Sequence, residues 1–592
     1  MIGRYKEHEG RIKGLAPRSL PGLLAERAAK SPEDTAYLFP ETEQAYTWSS
    51  VWKEVQSLAC GLLELPVRKG DRVALLMTGR MEMVLSLYAA GCIGAVAVPL
   101  NAYSRKKELR AYLEDARPAV LILGREGHGQ HYPALLREMI RESMTDGEDL
   151  SWLPSRVYVL GEDPAACAPF RPFAELTAAG RGADTREPFL AACRSVHEDD
   201  PLVLLYTSGT TGTPKAVLRS AASFLPPARN KGIAGEWAAR VTDRLTRGFP
   251  VLNLLPLYHL GGFGTILTNL HTCSIPIVML RHYHPGRALA QLSACRCRVL
   301  IGTPYMIQRM VASPERASYD LRPLLGVVFT SAAVTANVLR KVIEELELSF
   351  FLVSYGSSEA GSVSNGACFL PNRSRPLLSI LYRLLKAAGL LSGMVKPEAF
   401  EGTAGSLAGK IEKGVELRIL HPETGRLQPP YEPGEIAVRS HRVMRYAKET
   451  GDRPSHTGDG WYRSGDIGYV DGEGNLTISG RLNRLIHRGG EKISPAEIEG
   501  VLLGHPEVDE AFVLGLPDEL YGEQVCACVV AREGAGLTPD KLRGFAAPQL
   551  AAFKLPQTIV FLPELPLSPS GKIAVPEIRA ALEGRGEWKK HA

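Results

Sequence analysis

The stretch Tyr206–Lys215, YTSGTTGTPK, follows directly on the apolar run LVLL at 202–205. A short apolar run bounded by turn residues reads as a buried strand, and the Gly- and hydroxyl-rich run behind it reads as a loop. In that loop Thr207, Ser208, Thr210 and Thr211 interleave with Gly209 and Gly212. Glycine lets backbone approach an anion closely, and hydroxyl and N–H donors can wrap phosphate oxygens. Lys215 adds a compact positive charge. The GK[ST] ending of a Walker A loop is absent. Taken alone, the run is open to two readings, a phosphate cradle or a flexible Gly/Thr-rich turn.

Outward from this loop the chain alternates. Residues 20–65 carry two helical stretches, SLPGLLAERAAKSPE and SSVWKEVQSLACGLLEL, with apolar residues at three-to-four spacing. Buried strands are expected at Arg72–Met77, Ala95–Pro99, Ala119–Leu123 and Val157–Leu160, with helices at Met81–Ala90 and Arg105–Asp115 between them. From 200 to 360 further strands are expected at Leu202–Tyr206, Val251–Leu255, Ile275–Met279, Val299–Gly302, Gly326–Phe329 and Phe350–Val353. Alternating strand and helix predicts an α/β fold with parallel sheets covered by helices. Residues 402–480 turn Gly-rich with short alternating strands, predicting a small β-barrel-like subdomain. Beyond Gly480 the pattern is compact α+β. The expected division is a large N-terminal domain, 1–482, and a small mobile C-terminal domain, 483–592.

Composition narrows the function. Apolar residues make up 45% and charged residues 22%, and the net charge is +5. Large cores are affordable, and nothing calls for a nucleic-acid partner. Ten cysteines include no Cys-x-x-Cys pair, so buried thiols are expected over a metal site. The polar start MIGRYKEHEGRIKG lacks the apolar core of a secretory signal, and no apolar run is long enough to span a bilayer. A soluble cytoplasmic protein is expected.

With the loop at 206–215 in its sequence context, the chain resembles the adenylate-forming superfamily of acyl-CoA synthetases, luciferases and nonribosomal peptide adenylation domains. The motifs that carry the resemblance run in the family's order from about Thr47 to about Lys572: YTSGTTGTPK, TSAAV at Thr330–Val334, YGSSE at Tyr355–Glu359, WYRSGDIGYVDGEGNL from Trp461, GRLNRLIHRGGEKISPAEIE at Gly480–Glu499, and LSPSGKI containing Lys572. The resemblance implies ATP and CoA as substrates and Mg²⁺ as cofactor. It implies that Lys215 and the hydroxyls of 207–211 hold phosphate. The backbone of Ser331, Ala332 and Ala333, where the family usually has glycines, would line adenine. Tyr355 would stack on adenine beside Gly356, Ser357 and Ser358, and Glu359 would hold the metal. Asp466 would take the ribose hydroxyls, and Arg481 ribose and phosphate. The hinge is expected at Asn483, where Asp or Lys is usual. Gly489 and Gly490 would approach the CoA thiol arm, and Lys572 would swing in for adenylation. Lys554 in AFKLP also fits the family.

The segment PLYHLGGF, Pro256–Phe263, resembles the acyl-pocket border of acyl-CoA synthetases. Tyr258, His259 and Gly261 are pocket candidates with Gly302 and Tyr355, and His259 is equally a gate or a packed core histidine. The Phe-Asp pair of amino-acid-activating members is absent, which argues against an amino acid substrate. The expected reaction joins a carboxylic acid, best a fatty or aryl acid, to CoA through an acyl-adenylate. The alternatives are loading of a carrier protein's phosphopantetheine and, from another class, a noncatalytic nucleotide- or fatty-acid-binding protein, against which Lys572 and Glu359 both speak. Outside the family pattern, LLSILYRLLKAAGLL at 377–391 places Leu377, Leu378, Leu381, Leu384, Leu385 and Ala388 on one helical stripe, with Arg383 and Lys386 nearby. It reads as a helix packed on the large domain or one touching an anionic membrane surface.

Overall fold

The computed structural model describes residues 14–161, 167–181, 186–207, 215–226, 246–271, 274–370, 394–400, 406–444, 459–489, 491–518, 520–532, 534–567 and 573–584. The amphipathic stretch 377–391 lies outside them, as do Ser208–Pro214, Gly490 and Lys572. Two compact units emerge. The first comprises Met1–Ile301, Ser357–Gly361 and His441–Thr450; the second comprises Gly302–Gly356, Ser362–Ser440 and Gly451–Ala592.

In the first unit the strands are β1 (Thr35–Phe39), β2 (Gln44–Thr47), β3 (Arg72–Leu76), β4 (Val96–Pro99), β5 (Val120–Leu123), β6 (Glu126–Gly127), β7 (Gln130–His131), β8 (Arg156–Val159), β9 (Arg171–Pro172), β10 (Pro201–Thr207), β11 (Lys215–Ser220), β12 (Val251–Asn253), β13 (Ile277–Met279) and β14 (Val299–Gly302). One sheet runs β11-β10-β4-β3-β5-β8-β9; another run is β2-β1-β13-β12-β14. Strands β3, β4 and β5 pair in parallel, as the alternation requires. Every residue of β4 and β5 is buried, as expected for strands covered by helices on both faces. Helix Met81–Cys92 is buried at every residue but Glu82, whereas Trp48–Leu63 buries one face, Val51, Val55, Leu58, Ala59 and Leu62. Between the two helices of 20–65 lies the β1–β2 hairpin, which joins β13 in parallel. Helical periodicity on either side gives no hint of it, because β2 is too short to show alternation.

The second unit carries β15 (Gly326–Phe329), β16 (Phe350–Ser357), β17 (Gly361–Phe369), β18 (Ser406–Ile411), β19 (Val415–Leu420), β20 (Gly434–Ser440), β21 (Tyr462–Val470) and β22 (Asn475–Arg481). Their order is β15-β16-β17-β18-β22-β21-β20-β19. Strands β15 and β16 are parallel, and the strands of 406–481 are antiparallel. The antiparallel strands thus continue the sheet of β15–β17.

From Ile486 a separate sheet begins: β23 (Ile486–Arg488), β24 (Glu491–Ile493), β25 (Val508–Asp518), β26 (Gly522–Ala531) and β27 (Thr558–Phe561). It has apolar clusters of its own on either side, one around Ile493, Ile498 and Val513, the other around Phe512, Leu514 and Ile578. The described cysteines are all free thiols, and all but Cys295 are buried. Among the described residues no helix is long and apolar enough to cross a membrane.

Glu510 on β25 is an exception to the rule that carboxylates stay wet. Burial pushes its carboxyl up to about 7, outweighing the attraction of Arg309, and Asp509 and Glu564 add to the rise. Its Oε2 is buried without a hydrogen-bond partner among the described residues. A carboxyl whose folded pKa lies above its unfolded value contributes stability below the unfolded pKa. That contribution is lost as pH rises through about 7. Glu510→Gln, which cannot ionise, should match the parent's Tm near about pH 4.5 and exceed it at about pH 8, in paired thermal melts.

Candidate functional site

The strands on either side of residues 208–214 form a hairpin pair. Strands β10 and β11 pair antiparallel with Thr207 opposite Lys215, Leu205 opposite Val217 and Val203 opposite Arg219. Directly opposed residues in an antiparallel pair share a face, and so do residues two apart on one strand. Thr207, Lys215, Val217 and Arg219 therefore project from the same face. The sequence reading placed the loop behind a strand; that a second strand follows it, in place of a helix, is what separates this loop from a P-loop.

Against this face lies the turn Ser357–Gly361, which carries the YGSSE acid. The Thr207 hydroxyl donates to Glu359 Oε1 at 3.4 Å. The phosphate-loop stem and the predicted metal carboxylate, far apart in sequence, thus meet. Ser357 Oγ accepts from the Ala360 N–H at 3.0 Å, and the Met444 N–H donates to the Glu359 carbonyl at 2.8 Å.

Arg219 was not anticipated. It is 2% exposed. Its Nη1 donates to the Ser358 carbonyl at 3.1 Å and reaches the Glu359 carbonyl at 3.5 Å; its Nη2 donates to the Ser223 carbonyl at 3.2 Å. Burial lowers its pKa to about 10; Glu359 works against that drop, and Arg442 with it. The guanidinium stays protonated at neutral pH. The sequence signal was available: in KAVLRS, Arg219 falls in phase with buried Val217, a cation where a strand facing a core should carry an apolar residue.

The second unit assembles three more of the predicted residues. On β21 and β22, Asp466 stands opposite Arg481. Arg481 Nε donates to Asp466 Oδ1 at 2.7 Å, and the Tyr355 hydroxyl donates to Oδ2 at 2.7 Å. Burial first, and the Asp466 charge second, push the Tyr355 phenol well above its ordinary value, so it is a donor at any physiological pH. Asp466 is 5% exposed; its oxygens retain acceptor capacity beyond these two bonds. Ser331, Ala332 and Ala333 are exposed. Ser331 sits at φ +69°, the left-handed region that favours glycine, so a non-glycine residue holds a glycine-like conformation here.

The acyl-pocket candidates fall in both units. In the first, Tyr258 is buried and its ring packs 4.5 Å from that of His259. Its buried hydroxyl has no hydrogen-bond partner among the described residues, and burial raises its pKa, with Tyr103 adding to the rise. His259 and Gly261 are partly buried at the start of helix Leu260–His271. In the second, buried Gly302 accepts the Thr330 N–H at 3.2 Å.

Asn483 is exposed within the short turn Leu482–Arg484, which separates β22 from the small sheet. Gly489 takes φ +58° and donates its N–H to the Tyr521 carbonyl at 2.8 Å. Lys554 pairs with Glu497 at 2.7 and 2.8 Å. Among the described residues no three or more His, Cys, Asp or Glu cluster as a metal cage. The Glu359 carboxylate beside the Thr207 hydroxyl is a hard-oxygen pair. That suits Mg²⁺, which takes one or two carboxylates and fills its remaining positions with substrate phosphate and water.

The profile of the AMP-binding enzyme family matches residues 24–446, and that of the AMP-binding enzyme C-terminal domain matches 497–572. The mitochondrial medium-chain acyl-CoA ligase ACSF2 of Bos taurus is 28% identical over 98% of this chain and 90% of its own. The putative acyl-CoA synthetase YngI of Bacillus subtilis (strain 168) is 27% identical over 94% and 96%. Among solved structures, the anthranilate CoA ligase AuaEII in complex with anthranoyl-AMP superposes with a TM-score of 0.74 at 20% identity, over 96% of this chain and 98% of that one. The Mycobacterium tuberculosis fatty acyl CoA synthetase does so at 0.62 and 25% identity, over 96% and 99%. With the first profile covering well over half of its length, the chain belongs to the AMP-binding enzyme family of adenylate-forming ligases.

Proposed function

We propose that this enzyme is an ATP-dependent acyl-CoA ligase that converts a carboxylic acid, best a medium-chain fatty acid, ATP and CoA to acyl-CoA, AMP and diphosphate. The observation that carries the reading is the contact between Thr207 and Glu359, which sets a phosphate-binding loop against a carboxylate able to hold Mg²⁺. Full-length similarity to proteins named acyl-CoA ligases supports CoA as acceptor over a carrier protein's phosphopantetheine. The aliphatic substrate rests on the same relatives and on the apolar character of the Tyr258–Phe263 segment. Abundant free thiols agree with a reducing compartment such as the cytoplasm.

The chemistry takes two steps. A carboxylate is a poor electrophile, so its oxygen first attacks the α-phosphorus of ATP. The bond to diphosphate breaks and acyl-AMP forms. Mg²⁺ bound at Glu359 would neutralise charge on the triphosphate. Lys215 and the loop hydroxyls hold phosphate oxygens. Tyr355 supports the adenine, while Asp466, oriented by Tyr355 and Arg481, accepts the ribose hydroxyls. Lys572 places its cation between the carboxylate and the α-phosphate. The domain 483–592 then turns about Asn483 and brings Gly489-Gly490 to the CoA arm. The thiol sulfur attacks the acyl carbonyl and AMP leaves. The protein's part is positioning and neutralising.

A diphosphate-release screen over straight-chain, aryl and amino acids, followed by thioester detection after CoA addition, tests the reading. Activity confined to aryl acids, or acyl-AMP that CoA does not discharge, would overturn it in part or whole. Lys572→Ala should cut the rate of acyl-AMP formation by about 10²–10³ while thioester formation from supplied acyl-AMP stays near the parent rate. Single-turnover assays of each half-reaction read this, and equal loss in both would sink the two-conformation scheme. Glu359→Gln keeps shape but removes the charge that Mg²⁺ prefers. It should raise the Mg²⁺ concentration needed for half-maximal diphosphate release, with the melting curve unchanged.

A further inference from the structure

The turn that presents Glu359 is short: Ser357 Oγ accepts the Ala360 N–H within it, and the Met444 N–H holds the Glu359 carbonyl. A further hold, on two successive carbonyls, comes from β11. Arg219 approaches from beneath and donates through Nη1 to two successive carbonyls, those of Ser358 and Glu359, while Nη2 is tied to Ser223. The guanidinium fork is planar and rigid, so holding the two carbonyls sets the orientation of the peptide that carries the Glu359 side chain. Gly361 closes the other side at φ +74°; a Cβ there would lie 2.8 Å from Arg219 Nη2 and 2.9 Å from Arg442 Cβ. Only a glycine lets the turn pass this close to the fork.

Stability alone does not account for this arrangement. Arg219 occupies a position whose strand phase suits an apolar residue, and its buried Nε finds no partner among the described residues. A buried donor left unsatisfied destabilises the fold, and an apolar side chain there would carry no such cost. The fork's hydrogen-bond partners are the backbone of the turn that carries Glu359 and of Ser223, and its carbon lies 5.3 Å from the centre of the Phe224 ring.

We propose that Arg219 is a positioning residue for metal binding: by clamping the Ser358 and Glu359 carbonyls from the phosphate-loop hairpin, it aims the Glu359 carboxylate at the metal position beside Thr207. The inference rests on the reading of Glu359 as the Mg²⁺ carboxylate. It adds a mechanical link, because the hairpin that carries the phosphate loop also sets the metal carboxylate.

Charge and geometry give opposite signs here, and that makes the inference testable. A cation near the metal position repels a metal ion, so on charge alone losing Arg219 would tighten metal binding. On geometry, losing the fork weakens it. Arg219→Lys keeps the charge and removes the fork. Outer partners of metal ligands typically change affinity by about 10–100-fold when altered. We expect Arg219→Lys to weaken Mn²⁺ binding by at least about tenfold. The readout is electron paramagnetic resonance titration of the full-length enzyme with a nonhydrolysable ATP analogue bound. Thioester formation from supplied acyl-AMP should stay near the parent rate, and it doubles as the check that the variant is folded. Glu359→Gln is measured alongside. If neither variant shifts the metal affinity, the assignment of Glu359 itself falls. If Glu359→Gln shifts it and Arg219→Lys does not, or if the lysine variant loses both half-reactions equally, Arg219 is a packing residue and the inference is overturned.

Discussion

The pairing of β10 with β11 is the constraint on which the candidate site depends. Because Thr207 faces Lys215, the two residues that flank 208–214 are held opposite one another by the ladder. The same register puts Thr207, Lys215 and Arg219 on one face. A slip of β11 by one residue would turn Lys215 and Arg219 to the opposite face while Thr207 kept its own. The hairpin would still pair, but the turn that carries Glu359 would lose its arginine. A single register therefore sets a hydroxyl, a cation and the arginine that grips the carboxylate's turn together.

The second unit solves a similar problem in a similar way. Asp466 and Arg481 are cross-strand neighbours on β21 and β22, so their ion pair is set by the ladder and not by flexible side chains searching for one another. Tyr355 then adds a neutral donor, whose proton is secured by burial and by the aspartate itself. An acid proposed to accept ribose hydroxyls needs to stay still. One charged partner, one neutral partner and a strand backbone hold Asp466 in place.

Much of this was legible in the sequence. Strands such as LVLL before the loop and FFLV before YGSSE are apolar runs bounded by turn residues, and they fold as read. Tyr355, Asp466 and Arg481 were named from separate motifs and meet through direct hydrogen bonds. What was missed shares a cause. Strand β11, KAVLRS, carries charges near both ends and does not look like a core strand, and β2 is too short to alternate. Ser331 is a non-glycine in a glycine conformation, a departure visible in the sequence but whose backbone consequence is not. Arg219 hid because a lone arginine in a short strand is ordinarily a solvated one, so its phase with Val217 carries little weight until the pairing register shows that it faces inward.

That inward arginine also bears on how the reaction is organised. Phosphoryl chemistry asks the protein mainly to place charges, and charges on separate loops drift independently unless something stiff connects them. Here the connection is made of backbone: the strand that begins at Lys215 also bears Arg219, and Arg219 grips carbonyls of the turn, not its side chains. Carbonyl partners do not titrate, so the grip is insensitive to pH across the range in which Arg219 stays charged. A carboxylate partner would have formed a stronger pair with the guanidinium, but it would also have neutralised the cation, and in Glu359's case occupied the group proposed to hold the metal. Binding the backbone leaves the Glu359 oxygens available while still fixing where they point.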